Sequence, residues 1–319
     1  MTDLDQLLEK SSRTFALSIP PLDDSLRQQV TIAYLLFRIA DTFEDAAAWP
    51  PESRVAALAD FVRLLAHPDE TEARLMAERW VASRPTEHPG YLELLASTPA
   101  VLAHLLALPE RTMDVIREHV ARSAEGMADW VKRGSNGDLR LGDLADLKAY
   151  CYTVAGIVGE MLTELFLIDA PQLAPAAAFL RARAAAFGEA LQLVNILKDS
   201  AADRREGRHY LPSGVPLSSI FSLARTDLGM ANEYIRTLQR QGAPRGIVAF
   251  TAVPVQLAFA TLAKVEVDGP GSKISRTEVF LLIRQVNSAL DHGRPAVRLP
   301  NEPPRSRLAE LTSMLFGRP

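Results

Sequence analysis

The chain has 319 residues, of which 48% are hydrophobic and 23% charged, with a net charge of −4 and one cysteine. That apolar content supports one large core or two modest ones, and the near-neutral balance without any Lys/Arg-rich run excludes a backbone track for nucleic acid. A lone thiol, Cys151, excludes an intrachain disulfide and suits a reducing, cytoplasmic compartment.

The N-terminal MTDLDQLLEK is acidic and amphipathic, without the basic start and apolar centre of a signal peptide. From there apolar residues recur at helical spacing almost everywhere, and no run of alternating β-branched residues interrupts them. The pattern predicts an all-α chain with helices over 24–46, 51–67, 69–82, 90–107, 111–133, 143–168, 172–203, 228–241, 245–266 and 275–290. Strands are expected to be few or absent. Loops fall at RGSNGD (133–138), REGRHYLPSGVP (205–216), DGPGS (268–272) and HGRPAVRLPNEPPRSR (292–307). None is long enough for a domain linker and no fixed-period repeat occurs, so residues 1–319 are expected to form one helical domain, with about 292–319 a loop-rich tail. No window is expected to supply the roughly 20 apolar residues of a membrane span. The terminal LAELTSMLFGRP is apolar enough to rest on a membrane surface.

In VTIAYLLFRIADTFEDAAAW (30–49), Tyr34, Arg38, Asp41 and Asp45 fall within an arc of roughly 60° on one helical face, with Glu44 at its edge. The other faces carry Ile32, Ala33, Leu35, Leu36, Phe37, Ile39 and Ala40, which predicts burial and turns the polar stripe inward. A lone acidic triplet at a helix end is commonly just solvated. Three carboxylates inside a protein repel one another, however, and Arg38 alone does not balance them; hard Mg²⁺ with oxygen ligands fits.

The segment FGEALQLVNILKDSAADRREGRHYLP (187–212) repeats the arrangement. Gln192, Asn195, Asp199 and Asp203 lie within about 80° of one face among apolar neighbours. Lys198 adjoins them, and Arg204, Arg205 and Arg208 follow. Two acidic stripes facing across a cavity hold Mg²⁺ ions that bridge to a diphosphate, while Arg and Lys neutralise the remainder. The chemistry so deduced is ionisation of an allylic diphosphate above an apolar cavity.

In AYCYTVAGIVGEM, Tyr150, Val154, Ile157 and Met161 share a face suited to lining such a cavity. Gly156 and Gly159 lie roughly opposite and permit close helix packing.

Together SSRTFALSIP, YLLFRIADTFEDA, AYCYTVAGIVGEMLTELF, LQLVNILKDSAADRREGRHYLP and FTAVPVQLAFATL, followed by KISRTEV, resemble the squalene/phytoene synthase family of head-to-head prenyl transferases over about residues 10 to 290. The resemblance implies a single-domain isoprenoid-synthase helical bundle around a central apolar cavity, with Mg²⁺ held against the diphosphates of two farnesyl or geranylgeranyl diphosphate molecules. Carried over by motif, Asp41, Glu44, Asp45, Asp199 and Asp203 become metal-site residues, and Ser12, Arg13, Tyr34, Arg38, Gln192, Asn195 and Arg208 diphosphate-side residues. Tyr150 becomes the cavity residue for proton transfer. Lys198 stands where the family often has Arg, keeping the charge but losing the planar fork.

The family divides by outcome, and FTAVPVQLAFATL with GPGSKISRTEV resembles its squalene branch, most nearly a soluble bacterial-type squalene synthase. That implies farnesyl diphosphate as substrate, Phe250 in the second-step pocket, and Lys273 and Arg276 toward the phosphates of NADPH. No Gly-x-Gly-x-x-Gly follows a strand, so the cofactor rests on resemblance alone. Phe15, Phe43 and Phe187 are further aromatic faces, Phe250 the one favoured for cation stabilisation. Alternatives are a family member stopping at presqualene diphosphate, dehydrosqualene or phytoene without reduction, a terpene cyclase, or a non-catalytic assembly-factor relative. The six histidines show no metal-ligand spacing, and nothing in the sequence sets oligomeric state.

Overall fold

Nearly every segment of helical periodicity becomes helix in the computed structural model, which describes residues 4–12, 15–134 and 139–299. In chain order the helices are α1 (Leu4–Ser11), α2 (Phe15–Ser18), α3 (Asp24–Glu44), α4 (Pro51–Ala66), α5 (Glu70–Ala82), α6 (Pro89–Ala96), α7 (Thr98–Leu106) and α8 (Glu110–Arg133). They continue with α9 (Leu144–Cys151), α10 (Ile157–Asp169), α11 (Ala177–Arg205), α12 (Leu217–Arg240), α13 (Arg245–Asp268) and α14 (Arg276–Asp291). Strand β1 (Leu139–Arg140) pairs in parallel with β2 (Arg208–His209), the only sheet among the described residues.

Local chemistry sets several helix starts. Proline occupies the first turn of α4, α6 and α7, where its missing N–H costs nothing. Asp69 and Asp143 accept hydrogen bonds from Glu72 N and Asp146 N, and Ser275 with Glu278 forms a reciprocal capping box at α14.

Helix α11 lies at the centre, packed against α10, α12 and α13, while α3 lies against α4 and α8. Its crossing with the α9–α10 segment is a backbone-to-backbone approach. A Cβ on Gly188 would stand 2.6 Å from the Ala155 carbonyl carbon, and one on Gly159 3.0 Å from that of Ala184. Gly159 and Gly188 are therefore required on steric grounds, and Gly156 faces the same seam through Tyr152 and Glu189.

Several elements differ from expectation. The helix predicted over 90–107 divides at Ser97 into α6 and α7, because Pro99 lacks the N–H that would continue the first helix. The helix predicted over 228–241 begins at Leu217, and Ile220, Phe221, Ala224 and Leu228 supply a buried stripe hidden behind the Gly/Pro-rich stretch before it. The segment predicted as one helix over 143–168 contains a π-helical turn, Tyr152–Gly156, between α9 and α10. Two segments, Leu144–Asp169 and Arg245–Asp268, prove long and apolar enough to cross a membrane by length and composition, contrary to expectation. The most apolar windows of these segments are 56% and 78% buried inside the fold, so much of this apolarity serves internal packing. Of the predicted tail, 292–299 packs down, with Ala296 and Val297 buried and Gln239 and Gln256 bonding its backbone. Residues 300–319 lie outside the described residues.

Candidate active site

The last turns of α3 are buried by their neighbours on every side but one, and that side carries the polar stripe. Arg38 pairs with Asp41 at 3.2 Å and donates from Nε to the Tyr34 hydroxyl at 3.3 Å. Its guanidinium also lies 5.6 Å from the Tyr34 ring centroid and 5.4 Å from that of Tyr91, so charge and ring faces hold it in one place. Tyr34 in turn donates to the Ser11 carbonyl at 3.0 Å, tying α3 to the end of α1. Arg54, one turn into α4, donates to the Glu44 carbonyl that ends α3.

Across from this face stands the C-terminal half of α11. Arg38, Asp41, Glu44 and Asp45 from α3 and Gln192, Asn195, Asp199 and Asp203 from α11 line one cavity of about 230 Å³. Tyr150, Val154, Arg208 and Tyr210 help to close it. The two stripes, separated by about 150 residues of sequence, thus face each other. Arg208 spans them, with ion pairs to Asp45 and Glu206 and a 3.9 Å approach to Asp203. Lys198 pairs with Asp199 at 3.1 Å and donates to Asn195 at the same distance.

Burial makes these acids costly to ionise. Desolvation is the main cause raising the Asp41 carboxyl to about 6, with Arg38 opposing and Asp45 adding to the rise. Asp203 is likewise pushed up to about 6, first by desolvation and then by Asp199, Glu206 and Asp45, against Arg208. Glu44 moves up by burial and by the charges of Asp45 and Asp41. Cations would hold such a cluster ionised. The donors are hard oxygens without His or Cys, and among the described residues no three acidic, His or Cys side chains gather closely enough to enclose an ion. That open arrangement fits Mg²⁺, which takes one or two carboxylates and leaves its other positions to water and phosphate oxygens.

Below the acids the wall becomes apolar. A second cavity of about 200 Å³ is bordered by Phe37, Val158, Met161, Leu162, Phe187, Leu191, Phe250 and Pro254. Arg38, Asp41, Val154, Gln192 and Asn195 line both cavities, so the acid chamber opens directly on the apolar one. Phe187 stacks on buried Tyr234 at 5.5 Å, and Phe250 meets Phe166 edge-on at 6.1 Å.

The profile of the squalene/phytoene synthase family matches residues 8–215. The chain belongs to that family. Among curated relatives it is 28% identical over 286 residues to the squalene synthase of Schizosaccharomyces pombe, covering 82% of this chain and 58% of that protein. To the squalene synthase of Bos taurus it is 29% identical over 279 residues, covering 80% and 61%. The chain therefore matches about three fifths of the length of these relatives. A solved complex of TcSQS with the ligand E5700 superposes with a TM-score of 0.70 at 25% identity, covering 88% of this chain and 84% of that one.

Of the residues singled out from sequence, all five acids, Arg38, Gln192, Asn195, Arg208 and Tyr150 border the acid cavity. Tyr34 and Phe250 border the apolar one. Ser12 follows α1 next to Ser11, the residue bonded by Tyr34, and Arg13 lies outside the described residues. Lys273 and Arg276 are exposed and line neither cavity; the loop before them is tied to α11 by a 2.7 Å hydrogen bond from Gly271 N to the Lys198 carbonyl. Phe43 belongs to the core, packed among Trp49, Phe61 and Trp80, and the Phe15 side chain is outside the described residues.

One participant was missed. Tyr210 accepts a 3.0 Å hydrogen bond from the Tyr150 hydroxyl, and the two rings stack at 4.8 Å. The Tyr150 hydroxyl also stands 3.4 Å from Glu44 Oε1. Burial, with the charge of Glu44 close by, raises both phenols well above their ordinary range and keeps them as proton-bearing hydroxyls. The only sequence signal was its place two residues after Arg208.

Proposed function

We propose that this protein is a squalene synthase: it joins two farnesyl diphosphates head to head through presqualene diphosphate, then reduces that product with NADPH. The supporting observation is the junction of an acid-lined chamber with an apolar one along a shared wall, which suits an anionic head on a hydrocarbon tail. Mg²⁺ held by Asp41, Glu44, Asp45, Asp199 and Asp203 would supply charge neutralisation for the departing diphosphate.

The protein's own groups do the rest. Arg38, Arg208 and Lys198 place fixed positive charge beside the diphosphate, and Gln192 and Asn195 offer amide donors at the threshold of the tail cavity. As the allylic C–O bond breaks, its electron pair leaves with diphosphate; the 2,3-double bond of the second substrate attacks the cation. Loss of one proton closes the cyclopropane ring. The Tyr150 hydroxyl, oriented by Tyr210, is placed to pass that proton toward diphosphate oxygen. Phe187 and Phe250 present ring faces to the apolar chamber, which excludes water from the cation. NADPH supplies the hydride of the second step, with Lys273 and Arg276, exposed on the loop docked to α11, offered to its phosphates.

A second reading stops before reduction, and the distance of Lys273 and Arg276 from either cavity lining favours it. Incubation of the purified protein with farnesyl diphosphate and Mg²⁺, with and without NADPH, separates the two. Squalene appearing only with NADPH supports the first; presqualene diphosphate or an unreduced hydrocarbon in both arms establishes the second. A head-to-tail chain or a cyclic C15 product refutes both and identifies an elongating synthase or a cyclase. We place the enzyme in the cytoplasm with peripheral membrane contact for release of its hydrocarbon.

A further inference from the structure

Behind the C-terminal end of α11 lies a cavity of about 200 Å³ whose walls include Arg140, Arg204, Arg208, His209, Asp203 and Ser213. The parallel pairing of β1 with β2 builds it, setting Arg140 opposite His209 and Leu139 opposite Arg208. Three guanidiniums face one carboxylate there, in a chain whose net charge is −4. Arg204 has no ion-pair partner among the described residues, and the Arg208 Nε–H is buried without a hydrogen-bond acceptor. A helix end explains a cation at position 204, since it offsets the negative pole of α11. It does not explain why that cation borders an enclosed space.

The chamber also shares Asp203, Arg208 and Tyr210 with the acid cavity, so one wall separates the two. We infer that it is a release chamber for inorganic diphosphate, which passes Arg208 after leaving carbon and is held by Arg204, Arg208 and Arg140 without a metal ion. This rests on the diphosphate chemistry proposed above. The ligand class follows from charge and size. Fork-shaped guanidinium donors suit phosphate oxygens, and about 200 Å³ is below the roughly 300–1,000 Å³ of pockets that enclose larger ligands such as a dinucleotide.

The test is calorimetric titration of the whole protein with inorganic diphosphate in the presence of EDTA. Metal-free binding is expected in the parent chain and in Asp41→Asn, whose change lies in the other cavity. Arg204→Gln should weaken it about tenfold, the scale of one charge-assisted hydrogen bond, with Arg204→Lys intermediate. Arg140→Gln provides a second wall variant, and circular dichroism checks that each is folded. Absence of metal-free binding, or equal affinity in Arg204→Gln and Arg140→Gln, overturns the inference. Displacement of bound diphosphate by NADP⁺ overturns it too, by assigning the chamber to the cofactor. Turnover of farnesyl diphosphate is scored separately. Metal-free binding that depends on Arg204 in a protein without turnover leaves the chamber standing and refutes the proposed function, whereas turnover without such binding does the reverse.

Discussion

Gly188→Ala should be among the most damaging single-methyl additions in this protein. The new Cβ would sit 2.6 Å from the Ala155 carbonyl carbon and 3.2 Å from Gly156 N, where ordinary contact begins at 3.4 Å. Both obstacles are backbone, so no rotamer change relieves them. The α11 helix and the π-helical turn would have to separate along a seam that Gly159 also holds close. Overpacking of a rigid core costs about 1–3 kcal/mol, and a backbone clash lies at the upper end. Alanine's better helix propensity returns up to about 1 kcal/mol, leaving a net loss of about 2 kcal/mol. Gly229 supplies the opposite case: it is helical, in α12, and a Cβ there meets nothing within 4 Å. Gly229→Ala should therefore gain up to about 1 kcal/mol. Urea titration of both variants, read by circular dichroism with unchanged slope, measures the pair. The activity of Gly188→Ala should fall as well, because separation carries Gln192 and Asn195 away from Val154 across the cavity mouth. A midpoint for Gly188→Ala equal to or above that of the parent would refute the close-approach reasoning.

Tyr210→Phe removes only the hydroxyl that accepts from Tyr150, so kcat should drop about fivefold, equivalent to about 1 kcal/mol, with KM little changed; an unaltered kcat would deny Tyr210 a positioning role. Asp227 is raised to about 6 by burial, and Glu189 to about 7 by burial and then by Asp227, while Lys148 opposes both shifts. Because folding raises these values, their contribution is fully present below about pH 4, where the unfolded carboxyls titrate, and is lost as pH rises through 6 and 7. Asp227→Asn should accordingly gain stability at pH 8 and flatten the profile between pH 4 and 7, and urea midpoints that keep the parent's pH dependence would contradict this. Phe187→Ala opens the apolar chamber toward Tyr234, so competition between farnesyl and geranylgeranyl diphosphate should shift toward the longer chain; an unchanged ratio would remove Phe187 as part of the floor.

Periodicity of 3.6 was enough to find the helices of the core and to place each acidic stripe on a single face, since those properties belong to one helix at a time. The same locality explains what escaped. The start of α12 at Leu217 lay behind Gly214 and Pro216, which read as loop whatever follows them. Tyr210 has no periodic context, and its role exists only because β2 carries it against Tyr150, 60 residues away in sequence.

By itself, then, the amino-acid order determined an all-α chain, two inward-facing carboxylate stripes and the glycines of a close helix crossing, all consequences of side-chain spacing along a single rod. Tertiary packing alone decided that the stripes share one cavity, that this cavity opens on an apolar one, and that Arg208 stands between Asp45 and Asp203. The reason is physical: periodicity sets the direction in which a side chain leaves its own helix, whereas what it meets depends on how α3 and α11 are held apart by the helices around them.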